Sequence, residues 1–104
     1  MENLSPQQFQ QHLHQPGVLL LDVRLPEEVA IASLSGAVNI PLHELPARHA
    51  ELGQPAALAI YCHHGVRSQQ AARFLERQGY ANVSHLEGGI DAWSSEIDPS
   101  LARY

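Results

Sequence analysis

Two unbroken apolar runs, Val18–Leu21 and Ala56–Cys62, do most to limit what this chain can become. Each is about as long as a strand and far too short to span a membrane. A strand with one wetted face alternates polar and apolar residues, so an uninterrupted run reads as a strand buried on both sides, the habit of parallel sheets sandwiched between helices. Helix signals lie between the runs. Ser5-Pro6-Gln7-Gln8 is a helix start: a capping serine, proline at the first helical position, and glutamine three residues after the cap. Phe9 and Leu13 then share a face, and Gly17 follows. Pro26-Glu27-Glu28 opens a second helix with acids in its first turn, where they suit the helix dipole.

Further along, Ala37–Ile40 is strand-like and Pro41 ends it. A third helix is expected over Glu44–Leu52, with Pro46 in its first turn and Gly53 as its stop. The clearest helix is Ser68–Gln78, with Ala71, Ala72, Phe74 and Leu75 facing inward, Arg73 and Arg77 outward, and Gly79 closing it. Asn82–Leu86 reads as a strand, Gly88-Gly89 as a turn, and Ile90–Ser94 as a final helical piece carrying Trp93. The alternation predicts an α/β fold: a central, mostly parallel sheet of about five strands with helices on both faces, residues 1–104 forming one domain.

Lysine and arginine number 6 against 11 aspartates and glutamates, leaving a formal charge of −5. An acidic domain gets no long-range help in binding nucleic acid or an anionic membrane, so neither is expected as a partner. The first twelve residues hold no basic patch followed by an apolar core, so no secretory signal is expected. The single cysteine cannot close an internal disulfide, which fits a reducing, cytoplasmic setting.

That cysteine, Cys62, ends the second apolar run in the segment Ile60-Tyr61-Cys62-His63-His64-Gly65-Val66-Arg67-Ser68. In parallel α/β sheets, sites form beyond the carboxyl ends of the strands, and Cys62 lies at such an end. A thiol reacts as its thiolate, so a reactive cysteine needs groups that favour the anion. Two sources are at hand. The backbone N–H groups of residues 63–68 can curl around the sulfur as an anion nest, with Gly65 permitting the turn. The helix starting near Ser68 adds its positive end. Arg67 contributes a fixed charge and a planar fork matched to an oxyanion such as a sulfonate or phosphate. The alternative is a buried structural thiol, since free cysteine is among the most buried residue types; Gly65 and Arg67 weigh against it. His63 and His64 either line the mouth of the site, where partial protonation favours anionic donors, or are two solvated loop histidines. Adjacent residues in a turn seldom converge on one ion and zinc wants three or four ligands, so no metal is expected. His12, His14, His43, His49 and His85 share no spacing and are assigned no role.

Five segments, in order, resemble the rhodanese family of sulfurtransferases. They are Leu20-Leu21-Asp22-Val23-Arg24-x-Pro26-x-Glu28, Gly36-Ala37-x-Asn39-Ile40-Pro41, Tyr61-Cys62-x-x-Gly65-x-Arg67-Ser68, Gly79-Tyr80-x-x-Val83 and Leu86-x-Gly88-Gly89-x-x-Ala92-Trp93. The resemblance implies a double displacement with no cofactor. Cys62 takes the outer sulfur of a donor such as thiosulfate and passes it from a persulfide to cyanide, glutathione or a protein thiol, with His63, His64, Gly65, Val66 and Arg67 around the substrate. It also implies that Asp22 and Arg24 are structural supports, here read as a strand-end ion pair. Val29 and Ala32-Ser33-Leu34 depart from the family pattern, and His63 stands where many thiosulfate-active members carry arginine or lysine.

Other functions on the same fold are a non-catalytic binding module, disfavoured because Cys62 and Arg67 are both present, and a phosphatase or arsenate reductase. Only four residues separate Cys62 from Arg67, a loop tighter than a tetrahedral phosphate needs, and no second cysteine is available to resolve an intermediate. The tail Ile97–Tyr104 is similar to the ends of rhodanese domains fused to ubiquitin-activating-like enzymes, which makes a sulfur-carrier protein an alternative acceptor.

Overall fold

Both apolar runs become inner strands of a five-stranded sheet in the computed structural model, which describes residues 1–104. In chain order the strands are β1 (Glu2–Leu4), β2 (Val18–Asp22), β3 (Val38–Asn39), β4 (Ala57–Tyr61) and β5 (Val83–Leu86). Their order in the sheet is β1-β5-β4-β2-β3, and every pairing is parallel. β4 is central, in register with β2 from Val18↔Ala57 to Asp22↔Tyr61. All five β4 residues are buried, as an unbroken apolar run requires.

The two-residue period of the strands divides the core between two faces. Leu21, Val23, Leu58, Ile60, Cys62 and Val83 point to one side, against α3 (Leu45–Arg48) and α4 (Val66–Arg77). Leu20, Ala59, Tyr61 and Leu86 point to the other, beneath α1 (Pro6–Leu13) and α5 (Gly89–Glu96). On α4 the inward residues are Ala71, Ala72 and Leu75, with Phe74 half-buried at the edge of the same cluster. On the opposite face the Phe9 and Trp93 rings meet edge to face, with centroids 6.3 Å apart. The first helix starts as its sequence dictates: Gln8 N–H donates to Ser5 Oγ at 3.2 Å and Ser5 N–H to Gln8 Oε1 at 3.0 Å.

Three details differ from expectation. The segment expected as one helix over Glu44–Leu52 is a 3₁₀ turn (Leu42–Glu44), a single α turn (α3), and a second 3₁₀ turn (His49–Leu52). Pro46 has no N–H to give to the Leu42 carbonyl, and Leu45 N–H takes that carbonyl in a tighter bond instead. Strand β1, which no periodicity announced, adds an edge beyond β5. Finally, α4 begins at Val66, two residues earlier than the Ser68 start, because Gly65 at φ +105° turns the chain directly into helical geometry. α2 (Pro26–Ile31) follows β2, and Arg24 just past that strand donates to the Glu28 carbonyl of α2 at 3.3 Å. No helix is long and apolar enough to cross a membrane.

Candidate active site

Cys62 continues the alternation of β4 by one residue, so its sulfur points under the first turn of α4. The side chain is buried. Gly65 N–H donates to Sγ at 3.0 Å and Ser68 N–H at 3.3 Å, while Ser68 Oγ lies 3.5 Å from the sulfur. Of the amides over residues 63–68, these two reach it. The carbonyls at the start of the loop are drawn the other way. Cys62 C=O accepts from Ile90 N–H at 2.9 Å and His63 C=O from Asp91 N–H at 3.1 Å, which satisfies donors that the start of α5 would otherwise leave open. Gly89 makes this approach possible, since a Cβ there would collide with the His63 carbonyl. The loop is thereby sorted, with donors facing the sulfur and acceptors facing α5. That polarity favours negative charge at Sγ.

Arg67 lies inside the first turn of α4, where a cation opposes the helix dipole. A partner on α2 offsets the penalty. Nη1 and Nη2 of Arg67 donate to the two carboxylate oxygens of Glu28 at 2.8 and 2.9 Å. The same Glu28 carboxylate accepts from Leu25 N–H at 3.0 Å, closing the start of α2. Burial works against the charge on Glu28, but the bonds from Arg67 and Leu25 outweigh it and hold the carboxyl below its usual range. The fork expected to be open for an oxyanion is therefore held by a carboxylate, and Arg67 makes no bond to Sγ.

Asp22 and Arg24 form the strand-end pair beside this site. Arg24 Nε and Nη2 embrace the Asp22 carboxylate at 3.0 and 2.7 Å, Nη2 also meets Ala32 C=O at 2.7 Å, and Nη1 meets the Tyr104 hydroxyl at 2.8 Å. Both side chains are fully enclosed. Asn39 ties down the same corner, its Nδ2 donating to the carbonyls of Asp22 and Arg24.

The two loop histidines diverge. His64 is largely exposed, 3.9 Å from Asp91. His63 is sandwiched, with its ring 3.8 Å from that of Tyr104 on one side and 3.8 Å from His64 on the other. Desolvation, then the neighbouring His64, lowers the His63 pKa, so the ring stays neutral to lower pH than a free histidine. Val66 projects into solvent. No three His, Cys, Asp or Glu side chains converge as a metal centre would need.

Two residues to which the sequence assigns no role, His85 and Asn3, connect to the sulfur through Ser68. Ser68 Oγ lies 3.0 Å from His85 Nδ1, and His85 Nε2 lies 2.7 Å from Asn3 Oδ1. Asn3 and His85 are cross-strand partners of β1 and β5. The only available sequence signal was β5 parity: His85 shares a face with Val83, toward α4 and the sulfur. A cleft of about 330 Å³ opens beside them, lined by Asn3, His64, Gly65, Gln69, His85 and Glu87 among others.

Comparison with known proteins agrees with this architecture. Residues 5–96 match the family described as rhodanese-like domain. A sulfurtransferase of Allochromatium vinosum is 41% identical over 85 residues, 82% of this chain and 79% of that protein. The thiosulfate sulfurtransferase GlpE of Ectopseudomonas mendocina is 35% identical over 98% of this chain and 93% of its own length. The crystal structure of a rhodanese-related protein from Thermoplasma volcanium superposes with a TM-score of 0.84 at 31% identity, covering 93% of this chain and 94% of the other.

Proposed function

This chain belongs to the rhodanese-like domain family, and from that membership we propose that it is a sulfurtransferase working through a persulfide on Cys62. The observation that carries the reading is the sorted loop: two N–H groups donate to Sγ while the Cys62 and His63 carbonyls are taken up by α5. A thiolate held this way is a nucleophile for sulfur. Attack on the outer sulfur of thiosulfate forms the new S–S bond, and sulfite leaves with the electron pair of the old one. An acceptor, cyanide or a thiol such as glutathione or a protein cysteine, then attacks the outer sulfur of the persulfide and releases the Cys62 thiolate. With one cysteine in the chain, the persulfide has no internal thiol to discharge it and waits for that acceptor.

Arg67 recruits the anionic donor in this scheme. A sulfonate displaces Glu28 from the guanidinium fork, exchanging one bidentate anion for another. His63 and His64 form the rim the donor crosses, beside Gly65 and Val66. We read the 104 residues as one such domain acting in a reducing compartment, without metal or cofactor. The test is the first half-reaction alone. Wild-type protein mixed with thiosulfate and no acceptor should release one sulfite per chain, and Cys62→Ser none. Equal release from both proteins would overturn the assignment, as would no sulfite from wild type with thiosulfate together with no added sulfur on Cys62 after a protein persulfide donor.

A further inference from the structure

Sγ of Cys62, Oγ of Ser68, the His85 ring and the Asn3 carboxamide form one continuous line through the protein. The steps are 3.5 Å, 3.0 Å and 2.7 Å. We propose that His85 is a positioning residue that acts through Ser68, orienting its hydroxyl and taking up its proton as Ser68 takes the Cys62 thiol proton and the sulfur attacks. The inference rests on the reading of Cys62 as a nucleophile.

Chemistry at the far end fixes the direction. Asn3 Oδ1 can only accept, so His85 Nε2 carries the proton of that bond and Nδ1 presents its lone pair to Ser68. The Ser68 hydroxyl has two acceptors within reach, His85 Nδ1 and the Gly65 carbonyl at 3.2 Å, while its own oxygen faces the thiol. Ser68 is fully enclosed and His85 nearly so. A polar row in a face otherwise packed with aliphatic side chains is costly unless each member is bonded, and each is.

The proton balance closes. The thiol proton passes to Ser68 Oγ while the Ser68 hydroxyl proton passes to His85 Nδ1. The products are a thiolate, a neutral serine and an imidazolium whose Nε2–H remains on Asn3. When the acceptor later removes the outer sulfur, Cys62 is again a thiolate and the proton returns by the same path. Burial keeps the His85 ring neutral to lower pH than usual. Arg73 on α4 acts in the same direction, and Glu87 beyond β5 opposes it. His64 and Gln69 are the other polar side chains on the shared cleft. The ring is therefore an empty acceptor at neutral pH and stops being one as acid fills Nδ1.

The test reads Cys62 without any sulfur donor: the second-order rate of its alkylation by iodoacetamide between pH 5 and 8.5. In wild type an acid-side inflection below the ordinary histidine pKa of ~6.5 should mark the filling of Nδ1. His85→Gln should abolish that inflection and slow alkylation at pH 7 about tenfold, less than direct acid–base help because a hydroxyl intervenes. Ser68→Ala should match it, and the double variant should be no slower than either single one. Asn3→Asp, at an exposed edge position, retains the histidine and should move the inflection to higher pH, because a carboxylate favours the imidazolium. A His85→Gln profile that superposes on wild type, losses that multiply in the double variant, or an inflection unmoved in Asn3→Asp would each overturn the proposal. Mass measurement of the persulfide on the same preparations tests sulfur transfer separately. A missing persulfide with the alkylation pattern intact would remove that reading and leave the relay standing.

Discussion

Arg24, just past the end of β2, and Arg67, in the first turn of the helix that follows β4, each grip one carboxylate with two nitrogens, yet their surroundings differ. Arg24 has no exposed surface, and beyond Asp22 its donors are taken up by Ala32, Tyr104 and Glu28. Arg67 is about a third exposed and has Glu28 alone. Exchanging the partner of a buried pair strands a charge in a poor dielectric, so that pair is permanent. At the rim, one anion can replace another at little net cost because water covers the transition. The difference separates a corner post from the group proposed to bind the donor, although both are arginines bonded to acids.

The sharpest way to break this contrast is to remove the buried cation. Arg24→Met leaves Asp22 enclosed and unpaired, and urea unfolding should show a loss of about 3–5 kcal/mol. A loss below ~1 kcal/mol would place Arg24 in the same class as a rim ion pair. Next in size is Arg67→Ala. Its stability should change by no more than about 1 kcal/mol, while the KM for thiosulfate rises roughly tenfold or more, the worth of a charge-assisted bidentate contact. The acceptor half-reaction should barely change; equal damage to both halves would remove Arg67 from donor binding.

Glu28→Gln sharpens the comparison from the other side. The carboxamide oxygen can still accept from Leu25 N–H, so α2 should persist, while the competitor for the Arg67 fork is weakened. A fall of about threefold in the KM for thiosulfate is expected, the equivalent of one modest surface ion pair. A rise would mean that Glu28 positions Arg67 for the donor instead of competing with it. The smallest effect is in acid. The folded carboxyl of Glu28 sits below its usual range, so the pair's stabilisation is complete above the unfolded value of about 4.3 and lost as pH falls through the folded one. Melting temperatures of wild type and Glu28→Gln should differ slightly at pH 6 and converge as pH falls below the ordinary carboxylate range. A gap that widens in acid would contradict the assigned direction.

Much of this was legible along the chain. Unbroken apolar runs of that length, bounded by turn residues, read as buried strands, and the Gly65 and Ser68 spacing places donors near Cys62 because both lie within one loop and one helical turn. What could not be read came from distance. Glu28 read as an ordinary first-turn acid, and its claim on Arg67 spans 39 positions. His85 lies 17 positions from Ser68 and 82 from Asn3. The latter pairing exists only because β1, three residues without periodicity, adds to the edge of β5. The early start of α4 turned on the left-handed backbone of Gly65, a single dihedral that composition does not announce.

The most direct test of the central claim is the intact mass of the protein before and after incubation with thiosulfate, with Cys62→Ser alongside. The account predicts a gain of one sulfur, about 32 Da, on wild type alone, erased by cyanide. An unchanged wild-type mass while Cys62 remains alkylatable, with thiosulfate and then with a protein persulfide donor, would contradict it.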